Sequence, residues 1–205
     1  MVSIGFAQEG WRTLFDGQSF AGWTFDTLDK AAAETIWEVK DGTVVVHGKD
    51  QPAGVMRTEK SYSNYAFEFE WRWMDGKGNS GCLVHCSTPH EINVWPKSIE
   101  VQLMTENAGD FWLIGETIEV DEKQIAMDKK GNPSRRRMNL NDGAEKPLGE
   151  WNQMRIVAKG ASLDIHVNGT LVNKGSNASA SKGAICLQSE RANIQFRNIR
   201  IKELD

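Results

Sequence analysis

Apolar and polar residues alternate with a period of two along most of the chain. The clearest segment spans residues 65–74, where one face carries four aromatic rings and the other carries two carboxylates and a guanidinium: Phe67, Phe69, Trp71 and Trp73 against Glu68, Glu70 and Arg72. Shorter alternating runs recur over 37–40, 43–48, 81–86, 98–104, 154–158, 163–167, 183–188 and 194–201. A period of two indicates β-strands. Since no stretch combines a helical period with capping residues, the pattern predicts an all-β sandwich or barrel.

One region, residues 105–150, departs from this alternation. It is polar and rich in turn-forming residues, and it includes the basic cluster Arg135–Arg137, which could meet an anionic ligand but which we assign to a solvated loop face. A stretch of this length inside a compact domain is usually functional, as a lid or a binding loop. We therefore expect residues 10–205 to form a single domain with a long loop region at about 105–150.

Composition and charge narrow the function classes. The chain has 205 residues and a net charge of −4 at pH 7, which argues against a nucleic-acid partner. No apolar run is long enough to span a bilayer. Residues 1–9 begin with MVSIGFAQ, which resembles the end of a signal peptide at its small-residue cleavage site. We predict a signal-peptide remnant or a frayed N-terminus here, and a secreted or periplasmic protein.

The cysteines predict no disulfide. Three cysteines, Cys82, Cys86 and Cys186, cannot all pair within one chain. Cys82 and Cys86 would lie roughly 13 Å apart on a shared strand, which is too far for a disulfide bond. We therefore predict buried free thiols.

The alternation also indicates which polar side chains face away from the core. Four aromatic rings facing solvent would form a large exposed patch, so they face the core, and Glu70 and Arg72 point the other way. In the run 98–104, the apolar positions 99, 101 and 103 face the core. Glu100 and Gln102 therefore take the opposite face.

Two neighbouring runs add to this polar set. In the run 183–188, positions 185 and 187 point inward, which leaves Gln188 and, if the strand continues, Glu190 on the polar face. The run 81–86 has an ambiguous register. His85 joins the polar face only if Cys82, Val84 and Cys86 pack inside.

We expect these polar side chains to share one surface. Carboxylates beside a histidine and an arginine suit acid/base chemistry on a sugar, because each group shifts the pKa values of the others. Tryptophan rings could supply stacking for the apolar face of a pyranose. The alternative is that the strands simply carry charge toward water, and Glu68 alone is interpreted in that way.

Short motifs in a fixed order along the chain carry a resemblance. The first is Leu14-Phe15-Asp16-Gly17 followed by Gly22-Trp23. The others are Trp37-x-Val39-x-Asp41-Gly42, Phe69-Glu70-Trp71-Arg72, Asn79-Ser80-Gly81, Glu100-Val101-Gln102, Gly149-Glu150-Trp151-Asn152, Asn168-Gly169, Leu187-Gln188 and Phe196-Arg197-Asn198-Ile199. This ordered set covers residues 10–204 and resembles the 3-keto-disaccharide hydrolase family. The resemblance implies a two-sheet antiparallel jelly roll of the concanavalin A-like lectin/glucanase kind, with the site on the concave sheet.

The resemblance also implies cleavage of 3-keto-glycosides or related sugars. A ketone at C3 acidifies the proton at C2, so a base can remove it, an enolate forms, and the group at C1 leaves by elimination; water adds back later. On this hypothesis Glu100 or His85 is the base. Arg72, or a divalent cation held by carboxylates and histidine, stabilises the enolate.

Further residues are assigned to the site on the same hypothesis. Glu70 belongs to the catalytic group, and Glu190 is an alternative acid or ligand. Trp95 and Trp112 lie in predicted loops, where their rings could stack on a sugar. The substrate-binding set is Asn79, Gln102, Gln188, Trp95, Trp112 and His90.

A second class of function stays open. The same fold supports non-catalytic carbohydrate-binding modules, since fold does not dictate function. The cluster of titratable groups favours an enzyme. The chain lacks the E-x-D-x-x-E motif of the retaining glucanases, which argues against a double-displacement glycosidase. In either class the partner is a carbohydrate, and no cofactor is predicted apart from the alternative cation; the oligomeric state is left open.

Overall fold

The computed structural model describes residues 9–205, and this part of the chain is almost entirely β-structure. Its strands form two antiparallel sheets, which confirms the predicted all-β sandwich. Three single-turn 3-10 helices lie between strands, at Leu28–Lys30, Ala33–Thr35 and Glu122–Gln124, and none of them is long or apolar enough to cross a membrane. Residues 1–8, which contain most of the proposed signal remnant, lie outside the described residues, so export stays a prediction.

The strands divide between a back sheet and a front sheet. In chain order they are β1 (Arg12–Thr13), β2 (Trp23–Thr27), β3 (Trp37–Lys40), β4 (Thr43–His47), β5 (Gly54–Thr58), β6 (Tyr65–Trp73), β7 (Gly81–Cys86), β8 (Ser98–Gln102), β9 (Phe111–Ile114), β10 (Ile125–Met127), β11 (Pro133–Arg137), β12 (Asn152–Lys159), β13 (Ser162–Val167), β14 (Thr170–Gly175), β15 (Ala184–Ser189) and β16 (Asn193–Glu203). The back sheet has the order β14-β13-β12-β6-β16-β4-β3, with β1 also paired to β16. The front sheet has the order β10-β11-β9-β8-β7-β15-β5-β2.

The main hydrophobic core lies between the two sheets. The four aromatic rings of β6 belong to it, as the alternation predicts. So do the apolar positions of β8 and β15: Ile99, Val101, Ile185 and Leu187. Burying one large apolar side chain is worth roughly 1.5–3 kcal/mol. The pairing register of each strand is therefore strongly determined, because a shift of one residue would turn all of its apolar side chains from the core toward solvent.

A second, smaller apolar group lies on the outward side of the front sheet. This outer cluster consists of Val55, Leu83, Cys86, Ile114, Ala184 and Cys186. Ile92 and Trp95, from the segment 87–97 between β7 and β8, pack against it. The front sheet is thus covered by apolar side chains on both of its faces around β7 and β15.

The segment 105–150 is not one long loop, contrary to our expectation. Strands β9, β10 and β11 lie within it and extend the front sheet beyond β8. Strand β9 is mostly buried, whereas β10 and β11 are short and partly exposed, so neither shows a clear alternation of apolar and polar residues. Trp112 accordingly lies on a strand and not in a loop.

An irregularity in β7 determines the orientation of His85. Between Leu83 and Cys86, β7 has one residue more than the facing stretch of β15. His85 adopts a positive φ of 55° in this bulge, and its ring lies 5.9 Å from the ring of Tyr65 in the interior. Such a bulge re-aims the following side chains, so Cys86 faces outward, with its Sγ 3.3 Å from the Sγ of Cys186. All the cysteines are buried free thiols, as predicted.

Candidate active site on the front sheet

Glu100 lies at the centre of a polar group on the outward side of the front sheet. Its neighbours across the sheet are Leu83 on β7 and Trp112 on β9. Two residues further along, Gly81 on β7 pairs with Gln102 on β8. Leu187 on β15 pairs with Cys82, so the next residue, Gln188, lies beside Gly81 on the other side of β7. The carboxyl group of Glu100 lies over Gly81, where any β-carbon would collide with it. The glycine therefore makes the space that this carboxyl group occupies.

Burial changes the acidity of Glu100. Its side chain is 7% exposed, and burial raises its pKa to about 8, helped by the nearby charge of Glu190. The neighbouring Gln188 amide and the positive charge of Arg135 act in the opposite direction on this pKa. Burial dominates because it removes the water that would solvate the ionised form. Glu100 can thus exchange a proton close to neutral pH.

The polar atoms around Glu100 are incompletely paired. Among the described residues, three buried carboxylate or amide oxygens have no hydrogen-bond partner: Oε1 of Glu100, Oε1 of Gln188 and Oδ1 of Asn79. An unpaired buried polar atom costs about 1–3 kcal/mol. Such atoms close together are typical of a site that is completed by a ligand or by water.

Gln102 is oriented by the backbone. Its Oε1 accepts hydrogen bonds from the backbone N–H groups of Leu103 and Met104, both at 2.9 Å. This leaves the side-chain N–H groups of Gln102 available as donors beside Glu100. The site therefore offers a fixed donor next to the unpaired acceptors.

Glu190 supplies a second carboxyl group. It follows β15 and forms an isolated bridge with Asn79. Burial raises the pKa of Glu190, and Arg191 acts against this rise. The charge of Glu190 in turn contributes to the raised pKa of Glu100.

Trp112 and Arg135 border the Glu100 group on the side of β9. Trp112 is the neighbour of Glu100 across the sheet, and the guanidinium of Arg135 lies 5.8 Å from its ring centre. Arg135 is a candidate site residue that we did not predict, since we preferred a solvated loop face to an anion-binding role for its cluster. No local signal identified it, because its position depends on the pairing of β11 with β9.

His90 and Trp95 lie on the segment 87–97, also on the outward side of the front sheet. His90 Nε2 lies 2.9 Å from the Asp26 carboxylate on β2, and its Nδ1 lies 3.0 Å from the backbone oxygen of Asn93. Trp95 packs against the outer cluster. These residues therefore cover the part of the sheet between the outer cluster and β2.

Glu70 and Arg72 do not belong to the Glu100 group. Both point away from the core as predicted, but β6 is part of the back sheet, so they lie on the opposite side of the sandwich. Glu70 accepts a 2.6 Å hydrogen bond from Arg197 Nε, and Arg72 donates one of 2.6 Å to Gln195. The guanidinium of Arg72 stacks on Trp151 at 4.7 Å. The prediction that they share one surface with Glu100 is wrong.

The same back-sheet surface holds Glu68, which is 4% exposed. Its carboxylate accepts a hydrogen bond of 2.8 Å from Arg155 and two from Arg200, at 2.6 and 2.9 Å. Its acceptor groups are thus satisfied within the protein. This arrangement is typical of a structural ion-pair network.

His85 cannot act as the base on the front sheet. The bulge directs it into the interior, where it is 1% exposed, and neither ring nitrogen has a partner among the described residues. The prediction that it faces the site is wrong, because we assumed a regular strand. His85 therefore cannot be the histidine of the cation site that we considered, in which carboxylates and a histidine hold the ion. Within residues 9–205, no group of three or more histidine, cysteine, aspartate or glutamate side chains is placed to hold a metal ion.

Buried His85 leads to a prediction about acid stability. Burial lowers its pKa from 6.5 to about 4. Between these values the unfolded chain binds a proton that the folded protein does not, so the free energy of unfolding falls as pH drops from about 6.5 to about 4. Replacing His85 with leucine should reduce this dependence by up to about 3 kcal/mol. Denaturant unfolding at pH 7 and pH 4.5 measures it, and an unchanged pH dependence would contradict the burial of a neutral imidazole.

Comparison with known structures supports the two-sheet fold described above. The chain is similar to two solved structures: a Parabacteroides distasonis protein assigned provisionally to the glycosyl hydrolases (23% identity, 96% of this chain and 95% of that one, TM-score 0.69) and the carbohydrate-binding module CBM66 of Bacillus subtilis (12% identity, 89% and 96%, TM-score 0.62). At these identities the likeness shows the fold, a lectin-like β-sandwich. The chain is a carbohydrate-active, glycosyl hydrolase-like domain.

Sequence comparison then gives the family. Residues 10–202 match the 3-keto-alpha-glucoside-1,2-lyase-like domain, so the chain belongs to that family, as its motifs suggested. It is also similar to a 3-keto-disaccharide hydrolase from Bacteroides thetaiotaomicron, with 26% identity over an alignment covering 96% of this chain and 79% of the relative.

Proposed function

We propose that this domain cleaves 3-keto-glycosides by removing the C2 proton, with Glu100 as the general base. The observation that carries the proposal is the state of Glu100: it is buried, its pKa is raised to about 8, and its Oε1 has no partner among the described residues. A general base works best when its pKa lies near the pH at which the enzyme acts. The family assignment supplies the substrate class.

The chemistry balances without a redox partner. Ionised Glu100 takes the C2 proton, and the electron pair of the C–H bond moves through the carbonyl to give the enolate oxygen at C3. The C3 carbonyl then re-forms, a double bond forms between C1 and C2, and the C1–O bond breaks toward the leaving group, which takes a proton. Addition of water to the double bond, with hydroxyl at C1 and hydrogen at C2, gives the free 3-keto sugar.

The neighbouring side chains have separate tasks in this proposal. Arg135 supplies positive charge near the enolate oxygen, the part that our sequence analysis assigned to Arg72. Glu190, with its raised pKa, donates the proton to the leaving group. Asn79, Gln102 and Gln188 hold substrate hydroxyls, and Trp112 provides the flat surface against which the sugar ring stacks.

The pH dependence of turnover tests the proposal. Because Glu100 must be ionised and Glu190 must hold its proton, kcat/KM for 3-keto-trehalose should follow a bell-shaped pH profile that falls above pH 8. Released glucose measures the rate in the presence and absence of a chelator. Sugar binding without glucose release would favour a non-catalytic carbohydrate-binding module. A rate that is constant from pH 6 to pH 9 would contradict the role of Glu100.

A further inference from the structure

Two thiols meet on the outward side of the front sheet, within the outer cluster. The thiol of Cys186 on β15 donates to Sγ of Cys86 on β7 at 3.3 Å. Both side chains are buried, with exposed fractions of 0% and 1%. The two residues are 100 positions apart in the chain, so their spacing in the sequence does not indicate that they are neighbours.

The bulge in β7 brings these sulfur atoms together. In a regular strand Cys82 and Cys86 would point to the same side of the sheet, since they are four positions apart. Cys82 belongs to the main core between the sheets, whereas Cys86 belongs to the outer cluster together with Cys186. The extra residue of the bulge therefore turns Cys86 outward. It also places Cys86 opposite Ala184, two residues before Cys186 on the neighbouring strand.

The two sulfur atoms need only a small movement to form a covalent bond. A disulfide bond is about 2.05 Å long, so the thiols, now 3.3 Å apart, must approach by about 1.2 Å. Rotating each side chain by about 20° about its Cα–Cβ bond moves its sulfur by about 0.6 Å, which stays within one rotamer well. The strands can therefore remain paired while the bond forms.

The segment 87–97 covers this pair of thiols. Ile92 and Trp95 pack against the outer cluster, and their backbone groups are joined by hydrogen bonds of 3.2 and 2.9 Å. Burial raises the pKa of the Cys186 thiol well above its ordinary value, and the hydrogen bond with Cys86 adds to this rise. Since the thiolate is the reactive form, the pair reacts when the segment opens or before the chain has folded.

We propose that Cys86 and Cys186 are a redox modification site, a dithiol that an external disulfide such as oxidised glutathione converts to a bond between β7 and β15. One cysteine, as its thiolate, attacks a sulfur of the external disulfide, which forms a mixed disulfide and releases one thiol. The second cysteine then attacks the mixed disulfide, which forms the Cys86–Cys186 bond and releases the second thiol. The protein thus loses two electrons and two protons, and the external disulfide gains them.

The bond should stabilise the protein without taking part in the chemistry proposed for Glu100. It would close a loop of about 100 residues, which restricts mainly the unfolded chain. The oxidised protein should therefore unfold at a temperature about 5–15 °C above that of the reduced protein. The inference does not depend on the proposed function, because no side chain of the Glu100 group takes part in it.

Refolding in a buffer of reduced and oxidised glutathione tests the proposal, because the cover over the thiols is then absent at the start. Thiol titration in denaturant should find one free thiol in the refolded wild-type protein, which has three cysteines. Its mass should be about 2 Da below that of the reduced chain. Cys82→Ala should keep no free thiol, whereas Cys86→Ala and Cys186→Ala should each keep two.

The variants are needed to identify the bonded residues. Cys82 and Cys86 lie on the same tryptic peptide, between Lys77 and Lys97, so peptide mapping of the wild type does not distinguish them. In Cys82→Ala only Cys86 and Cys186 remain, so this variant and the wild type decide the proposal even if the other two variants fail to fold. Circular dichroism verifies the fold of each refolded sample.

Several results would overturn the proposal. They are a refolded wild type that keeps all three thiols, a bond that involves Cys82, a stable glutathione adduct and a disulfide between two chains. An oxidised form that unfolds below the reduced form would also overturn it, because β7 and β15 would then have to distort to form the bond.

Discussion

Glu100→Gln is expected to abolish turnover of 3-keto-glycosides while making the protein more stable. An amide cannot accept the C2 proton, so kcat/KM should fall by about 10²–10⁴-fold. The pKa of Glu100 is raised to about 8 in the folded protein, so the free energy of unfolding decreases as pH rises from about 4.5 to about 8. Removing this group should stabilise the protein at pH 7 by up to about 3 kcal/mol.

Enzyme kinetics and denaturant unfolding at pH 5 and pH 7 check both parts. The stability gain should be largest at pH 7 and fall to about 1 kcal/mol or less at pH 5, because at pH 5 the folded state holds the Glu100 proton and the unfolded state has lost it only in part. Glu122→Gln, which makes the same chemical change at an exposed position, should alter neither quantity. Full activity in Glu100→Gln would exclude it as the base. A loss of activity without the pH-dependent gain in stability would contradict its buried, proton-holding state.

Gly81→Ala is expected to cost about 100-fold in kcat/KM with the fold retained. The new β-carbon would lie 2.8 Å from Gln188 Oε1 and 2.9 Å from Glu100 Cγ, and closer still to Glu100 Oε1. The Gly81 φ is not in the left-handed region, so alanine fits the backbone. The Glu100 side chain must therefore move, and a displacement of about 1 Å in a catalytic group is enough for such a loss.

The double variant Gly81→Ala/Glu100→Gln shows whether the alanine acts through Glu100. If it does, the double variant should be about as active as Glu100→Gln alone, because the two changes remove the same function. Circular dichroism and unfolding curves verify that the single variant keeps its fold. Wild-type activity in Gly81→Ala would mean that the position of Glu100 over Gly81 is not the catalytic one.

The polar positions of β8 and β15 could be predicted from the sequence. Glu100, Gln102 and Gln188 face outward because apolar residues alternate with them and must enter the core. This parity is a local property, since successive side chains of a strand point to opposite faces. The motifs added the jelly-roll fold and the family, which the family match and the two-sheet architecture confirm.

Parity could not tell which sheet a strand joins. Glu70 and Arg72 point outward as predicted, yet they lie on the back sheet because β6 pairs with β12 and β16, both distant in sequence. Two outward faces of a sandwich have the same local pattern. Only these long-range pairings distinguish them.

Irregular and edge strands limited the prediction further. The register of β7 was ambiguous because the bulge at His85 interrupts its alternation, and the sequence contains no signal for one extra residue. Strand β9 is short and mostly buried, and β11 is short and partly exposed, so neither shows a period, and Trp112 and Arg135 were taken for loop residues. The pairing of β9 with β8 places Trp112 beside Glu100, and the pairing of β11 with β9 brings Arg135 over the Trp112 ring.

Packing against the outer cluster makes the segment 87–97 part of the folded core as well as part of the outward surface of the front sheet. Trp95 and Ile92 cover Leu83, which is itself the neighbour of Glu100 across the sheet. Exchanging this segment for the corresponding loop of a relative would therefore change two properties at once: the shape of the outward surface of the front sheet and the burial of the outer cluster. A successful loop graft would have to bring matching residues at positions 55, 83, 86, 114, 184 and 186. The residues of this segment and those of the strands beneath it would thus have to be exchanged together.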